Sequence, residues 1–147
     1  MPSFSYPVTL SPASQYARGE TGFVVTFPDL PEAITQGKDE ADALIQAADA
    51  LEEAITSRMK RGEDIPFATH QTGRLVPVPT QTALKAALYL ALRGERGSQS
   101  ALAGRIGKDE KEVRRLLDPH HRSRSKNVEQ ALRALGKRVT IVIEDVA

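Results

Sequence analysis

The chain has no cysteine. That excludes a disulfide framework, a thiolate metal site and a cysteine nucleophile, and it makes a reducing compartment a suitable home. Also missing is any apolar run approaching the ~18 residues that a membrane-spanning helix requires. The opening segment Met1-Pro2-Ser3-Phe4-Ser5 has neither a basic nor an apolar leader-like region. A soluble cytoplasmic protein without a membrane partner is therefore expected. Its 147 residues can bury a real core and fit either one domain or two small ones.

Net charge is also scarce, at +1 overall, but the balance hides two opposed halves. Pro77-Val78-Pro79 interrupts regular structure and is read as a linker. Residues 1–79 carry six Lys and Arg against eleven Asp and Glu, net −5, whereas residues 80–147 carry fourteen against eight, net +6. The expected domains are accordingly 1–79 and 80–147. A basic domain attracts phosphate and an acidic one attracts a basic surface, so two partners of opposite charge are implied; chance segregation of solvated faces is the competing account.

In the acidic half, Phe4, Tyr6, Val8 and Leu10 alternate with Ser5, Pro7 and Thr9, the period of a half-buried strand. Pro7 puts this strand at an edge or delays its start. Gly22–Phe27 reads as a second strand and Ala33–Gln36 as a third. Asp39 then caps a helix over about Glu40–Lys60, with Leu44, Ala48, Leu51, Ile55 and Met59 forming one apolar stripe. Arg74–Val78 adds a short strand. The order β-β-β-α-β predicts a small antiparallel sheet plus helix.

The run Gly22-Phe23-Val24-Val25-Thr26-Phe27-Pro28-Asp29-Leu30-Pro31-Glu32-Ala33-Ile34-Thr35-Gln36-Gly37, an Ala- and acid-rich helix and then Gly62-Glu63-Asp64-Ile65-Pro66 resemble the HicB antitoxins. The resemblance spans residues 4 to about 79. Glu32 stands where that family usually has Gly, which makes the turn backbone less permissive. The resemblance implies a partial ribonuclease H-like fold that blocks HicA, a small basic mRNA-cleaving toxin. As acids, Asp29, Glu32, Glu52 and Glu53 are the candidate toxin contacts, with ordinary solvated surface as the alternative for each. The expected strands carry no carboxylate in their middles, and His70 stands alone, so the cation-binding chemistry of a nuclease is absent from the reading.

In the basic half, Leu84, Leu88 and Leu92, with Ala87 and Ala91, make a helix over about Gln81–Arg93 after Thr80. Ser98 caps Gln99–Ile106, and Gly107-Lys108-Asp109 leads into Glu110–Leu117. Two helices crossing tightly need a small residue at the crossing, a turn residue tolerant of left-handed geometry, and apolar anchors beyond it. Ala103, Gly107, Val113 and Leu116 meet these needs in order, and with Gln99 their spacing resembles the phage-repressor type of helix-turn-helix. A purely structural helical bundle is the alternative.

Under the DNA-binding reading, Asp109, Glu110, Lys111, Arg114 and Arg115 face outward from the second helix. Arg114 and Lys111 are suited to guanine, and Glu110 to a cytosine amine. Gln99 meets a phosphate at a helix N-terminus, and Arg122, Arg124 and Lys126 grip the DNA backbone. Adjacent His120 and His121 lack further ligands at metal spacing, so neither a metal nor a cofactor is expected. Asn127 is read as the cap of a final helix with Val128, Ala131, Leu132 and Leu135 inward and Gly136 at its end. Beyond it, Arg138–Glu144 alternates as a strand with no partner in a helical bundle, so pairing with a second copy, in a homodimer or higher oligomer, is expected.

The fold class is thus α+β: a small antiparallel sheet plus helix, then an all-α helix-turn-helix bundle with a terminal dimerising strand. Two readings of function stand, neither an enzyme. One is an antitoxin that binds a HicA-like ribonuclease and represses its own operon at double-stranded operator DNA. The other is a stand-alone regulator whose N-terminal domain senses a small molecule. A ribonuclease H-like hydrolase ranks behind both.

Overall fold

The computed structural model describes residues 3–146. Met1 and Pro2, part of the opening segment, lie outside the described residues, as does Ala147. The chain divides into two compact units, Met1–Ala83 and Leu84–Ala147.

The first unit contains strands β1 (Ser5–Pro7), β2 (Thr9–Pro12), β3 (Phe23–Thr26), β4 (Ile34–Gly37) and β5 (Leu75–Pro77), with helix α1 (Glu40–Arg61) between β4 and β5. The single strand expected from Phe4 to Leu10 is in fact two. β1 pairs antiparallel with β5, whereas β2 joins the antiparallel sheet β2-β3-β4. Val8 is the crossing point: its N–H still bonds Arg74 O at 3.1 Å, and the next residue, Thr9, pairs with Thr26. Because Tyr6 and Pro7 are both buried, the alternation fails just where the chain changes sheets.

Asp39 caps α1 by accepting from Asp42 N at 2.8 Å, and Gly62 ends the helix in a left-handed conformation (φ 69°). Acidic Glu40 and Asp42 in the first turn and basic Arg58, Lys60 and Arg61 in the last match the helix dipole. The buried stripe differs from the expected one in the first half of the helix. Ala43 and Ala47 are fully buried, while Leu44 and Ala48 are only half-buried; Leu51, Ile55 and Met59 face the core as anticipated. The reason lies across the interface at Gly37, where an added Cβ would overlap the backbone and Cβ of Ala43. Helix and sheet touch at a Gly–Ala pair, so large side chains are turned away. Tyr6, Val25, Phe27, Leu30 and Ile65 complete this core.

The second unit takes in α2 (Thr80–Gly94) from Leu84 onward, α3 (Gln99–Ile106), α4 (Glu110–Leu117) and α5 (Ser125–Ala134). Leu88, Leu92, Leu102, Ala103, Ile106, Val113, Leu116, Val128, Ala131, Leu132 and Leu135 form one core. Helix α5 begins earlier than expected, with Arg124 rather than Asn127 at its N-cap and no side-chain cap bond. Arg138–Glu144, expected to become a strand by pairing with a second copy, is not one within the single chain: Arg138–Val146 lie in no helix or strand. A lone extended segment beside helices has no edge to pair with. Val139 packs on the core, but Ile141, Val142 and Ile143 are 66%, 74% and 86% exposed.

Candidate nucleic-acid and partner interfaces

The most tightly specified local geometry in the second unit is the α3–α4 pair. Ser98 Oγ accepts from Ala101 N at 3.0 Å and starts α3. Gly107 ends it at φ 68°, its N–H directed to Ala103 O and Gly104 O, while Lys108 N bonds Ala103 O at 3.0 Å. A residue with a side chain is strained at such a φ, which is why glycine stands there. Asp109 Oδ1 then accepts from Glu112 N at 2.8 Å and starts α4. Ala103, Val113 and Leu116 are buried where the two helices and the core meet.

The outward positions match the expected pattern of exposure, with qualifications. Glu110, Lys111, Arg114 and Arg115 are exposed, but Arg114 lies 3.8 Å from Glu110 and Arg115 lies 3.6 Å from Glu112. Exposed pairs this loose hold their partners by less than about 1 kcal/mol, so the arginines can be drawn to a stronger acceptor. Asp109 carries out a capping role that its position alone explains. Gln99 is exposed in the first turn of α3, and Arg122, Arg124 and Lys126 are exposed between the end of α4 and the first turn of α5.

Sequence reasoning missed Lys85. Only 2% exposed, its ammonium donates to Arg115 O (2.9 Å), Asp118 O (2.7 Å), His121 O (2.5 Å) and Ser123 Oγ (3.0 Å). Burial pushes its pKa below the usual lysine value, while the carboxylates of Asp118 and Glu112 pull it back up. A signal did exist: Lys85 lies three and seven residues before buried Leu88 and Leu92, on the apolar face of α2.

In the first unit, the four candidate acids differ in their engagement. Asp29 accepts from Thr69 N (3.2 Å) and Thr69 Oγ1 (3.3 Å), tying two loops. Glu32 is paired with Arg58, whose guanidinium holds its carboxyl below the usual glutamate range. Glu52 accepts from Thr82 Oγ1 at 2.8 Å. Glu53 is exposed and lines an open groove with Ile34, Ala50 and Arg61 between the start of β4 and α1. Ile34 itself is 62% exposed, an apolar side chain beside an acid on an open surface. Among the described residues no helix is long and apolar enough to cross a membrane, and no group of three or more His, Asp or Glu is gathered as a metal site.

Comparison with known proteins fixes the lineage. A family model described as HicB-like antitoxin of bacterial toxin-antitoxin system matches residues 5–87. Antitoxin HicB of Escherichia coli is 38% identical over 140 residues, covering 94% of this chain and 98% of the relative. Antitoxin HicB 1 of Photorhabdus laumondii subsp. laumondii is 36% identical over 139 residues, covering 95% and 86% respectively. Antitoxin HicB of Pseudomonas fluorescens is 32% identical over 119 residues, covering 79% and 82%. The chain belongs to the HicB-like antitoxins of bacterial toxin-antitoxin systems, and its role is that of an antitoxin rather than an enzyme.

Proposed function

We propose that this antitoxin neutralises a small mRNA-cleaving toxin of the HicA type through residues 1–79 and represses its own operon through residues 80–147, acting as a homodimer in the cytoplasm. The observation that carries the reading is the coincidence of charge with architecture. The first unit holds the net −5 and the second the net +6, each on its own core. A toxin that grips RNA must present a basic surface, which the acidic unit complements, while DNA demands the opposite sign.

Within this reading the first unit is a partial ribonuclease H-like fold stripped of chemistry, since β1 to β5 contain no Asp or Glu. Glu53, beside exposed Ile34, is the strongest of the four candidate toxin contacts, because its carboxylate accepts from Ser57 Oγ on its own helix at 3.4 Å, whereas Asp29, Glu32 and Glu52 are bonded to other segments of the unit. In the second unit α3 and α4 act as a helix-turn-helix of the phage-repressor type. Arg114 and Lys111 face base edges; Gln99, Arg122, Arg124 and Lys126 face phosphates; Glu110 and Arg115 flank the contact, and Asp109 acts as the α4 cap. The exposed Ile141–Ile143 segment supports pairing with a second copy, which brings two such helix pairs onto one duplex.

The test uses the full chain. The product of the neighbouring gene is purified with and without the antitoxin, its RNA cleavage is assayed, and the complex is titrated against duplex DNA from upstream of the operon. Silenced cleavage at equimolar antitoxin together with sequence-selective DNA binding is expected. Cleavage that continues in excess antitoxin removes the first half of the reading, and equal affinity for unrelated DNA removes the second.

A further inference from the structure

Helix α4 is eight residues long and ends without a glycine: Asp118 leaves it in an extended conformation. Its last carbonyls therefore have few amide partners of their own. The segment that follows carries the cations read above as phosphate contacts; locally it makes one turn, in which Asp118 Oδ1 accepts from His120 N at 2.9 Å and Asp118 O accepts from His121 N at 3.1 Å. What ties that turn to the end of α4 comes from α2. The Lys85 ammonium reaches Arg115 O at the end of α4, Asp118 O and His121 O in the loop, and Ser123 Oγ beyond it. Ser123 Oγ also donates to Arg115 O at 3.4 Å, closing a ring around the cation. Three ammonium protons thus serve four oxygens, all neutral, with the negative end of the α4 dipole adding to their field.

We propose that Lys85 is the positioning residue of the DNA-contacting unit: its buried ammonium clamps the end of α4 to the loop Asp118–Ser123 and so fixes where Arg122 and Arg124 stand relative to Arg114 and Lys111. The loop's own pattern agrees. His121 O and Ser123 Oγ turn inward onto Lys85, while Arg122 and Arg124, which alternate with them, are exposed. A buried ammonium is costly unless fully coordinated, and this one is coordinated only when helix end and loop are both in place. Clamp and loop therefore form as one unit. The role in DNA recognition rests on the operator-binding reading; the clamp itself does not.

The experiment compares full-length wild type with Lys85→Met, which keeps the aliphatic stem and removes the charge. Amide hydrogen exchange is measured across the loop, and operator affinity is measured as a function of salt. Expected are a loss of protection at 120–123 by tenfold or more, toxin neutralisation unchanged, and a salt slope smaller by about two, because each phosphate contact contributes ~0.9. An Arg122→Ala/Arg124→Ala variant should lose the same slope, and adding Lys85→Met to it should remove little more. Wild-type protection and wild-type slope in Lys85→Met overturn the proposal. If Lys85→Met unfolds the second unit, Ser123→Ala carries the test: it removes one oxygen and keeps the ammonium, and unchanged loop protection there counts against the clamp. If wild type binds no operator, the DNA reading falls while the exchange comparison still decides on the clamp.

Discussion

Arg58 and Glu32 face each other as a two-point ion pair, Nε to Oε2 at 2.5 Å and Nη2 to Oε1 at 3.0 Å. The same guanidinium donates from Nη1 to Asp64 O at 3.0 Å, so one side chain of α1 holds both the turn before β4 and the segment after Gly62. Glu32 is the residue that replaces the glycine usual in that turn, and the ion pair gives the replacement a structural purpose.

The acid response of this pair follows from its direction. The Arg58 hydrogen bond lowers the Glu32 pKa from 4.5, so the carboxylate binds fewer protons folded than unfolded. Its contribution is present above 4.5 and is lost as pH falls below it. Both side chains are partly solvated, at 21% and 36% exposure, so Glu32→Gln should cost about 0.5–1 kcal/mol at pH 7 and little in acid. Urea denaturation at the two pH values checks this; an equal loss at both would mean that the charge is irrelevant.

At the alkaline end Tyr6 is the reporter. It is fully buried, its hydroxyl donates to Pro66 O at 2.8 Å, and burial, with the nearby Asp29 charge, pushes its pKa up to about 12. The unfolded phenol ionises near 10, so between those values the folded state holds the extra proton and stability falls as pH rises. Two pH units correspond to about 2.7 kcal/mol. Tyr6→Phe should cost about 1 kcal/mol at pH 7 and then lose less than wild type on the way to pH 12, as read by denaturation followed over that range.

Two glycines should respond in opposite directions to the same substitution. A Cβ at Gly37 would overlap the Ala43 backbone, so Gly37→Ala must separate β4 from α1 and should cost at least about 2 kcal/mol in the first unit. Gly104 lies within α3 with nothing within 4 Å of an added Cβ, and Gly104→Ala should stabilise the second unit by roughly 0.5–1 kcal/mol. Thermal melts of the two variants decide the matter, and a harmless Gly37→Ala would contradict the close helix–sheet contact.

That contact also marks the limit of what was legible. Caps at Asp39 and Ser98, the left-handed stops at Gly62 and Gly107, and the run of five helices follow from local chemistry that sequence displays. The phase of α1 did not, because hydrophobicity favours Leu44 over Ala43 on the inner face, whereas the decisive fact is a glycine on a facing strand. The break between β1 and β2 depends likewise on which distant strand each residue meets. Lys85 was the least legible, since its partners are three backbone carbonyls and a hydroxyl 30 to 38 residues away, groups that leave no mark in side-chain patterns. Of the proposed contact residues, exposure was legible but engagement was not: Asp29 and Glu32 look alike in sequence to Glu53, and only their neighbours separate them.

The last prediction concerns the segment beyond α5. Ile141, Val142 and Ile143 are three consecutive large apolar residues exposed by 66–86%, and their alternation suits a strand that a helical unit cannot pair. Antiparallel pairing with a second copy buries them and satisfies their backbone, and it sets residues of the two strands opposite each other. Ile141→Asp/Ile143→Asp therefore places like charges across the joint while leaving Val139, which packs on the core, untouched. Under the proposed dimerisation, wild type should sediment as a dimer at micromolar concentration and the variant as a monomer. Its operator affinity should fall by two orders of magnitude or more, as expected when two half-sites lose their coupling, with toxin neutralisation retained. A variant that remains dimeric would move the dimer interface elsewhere on the chain and leave the exposed isoleucines without this role.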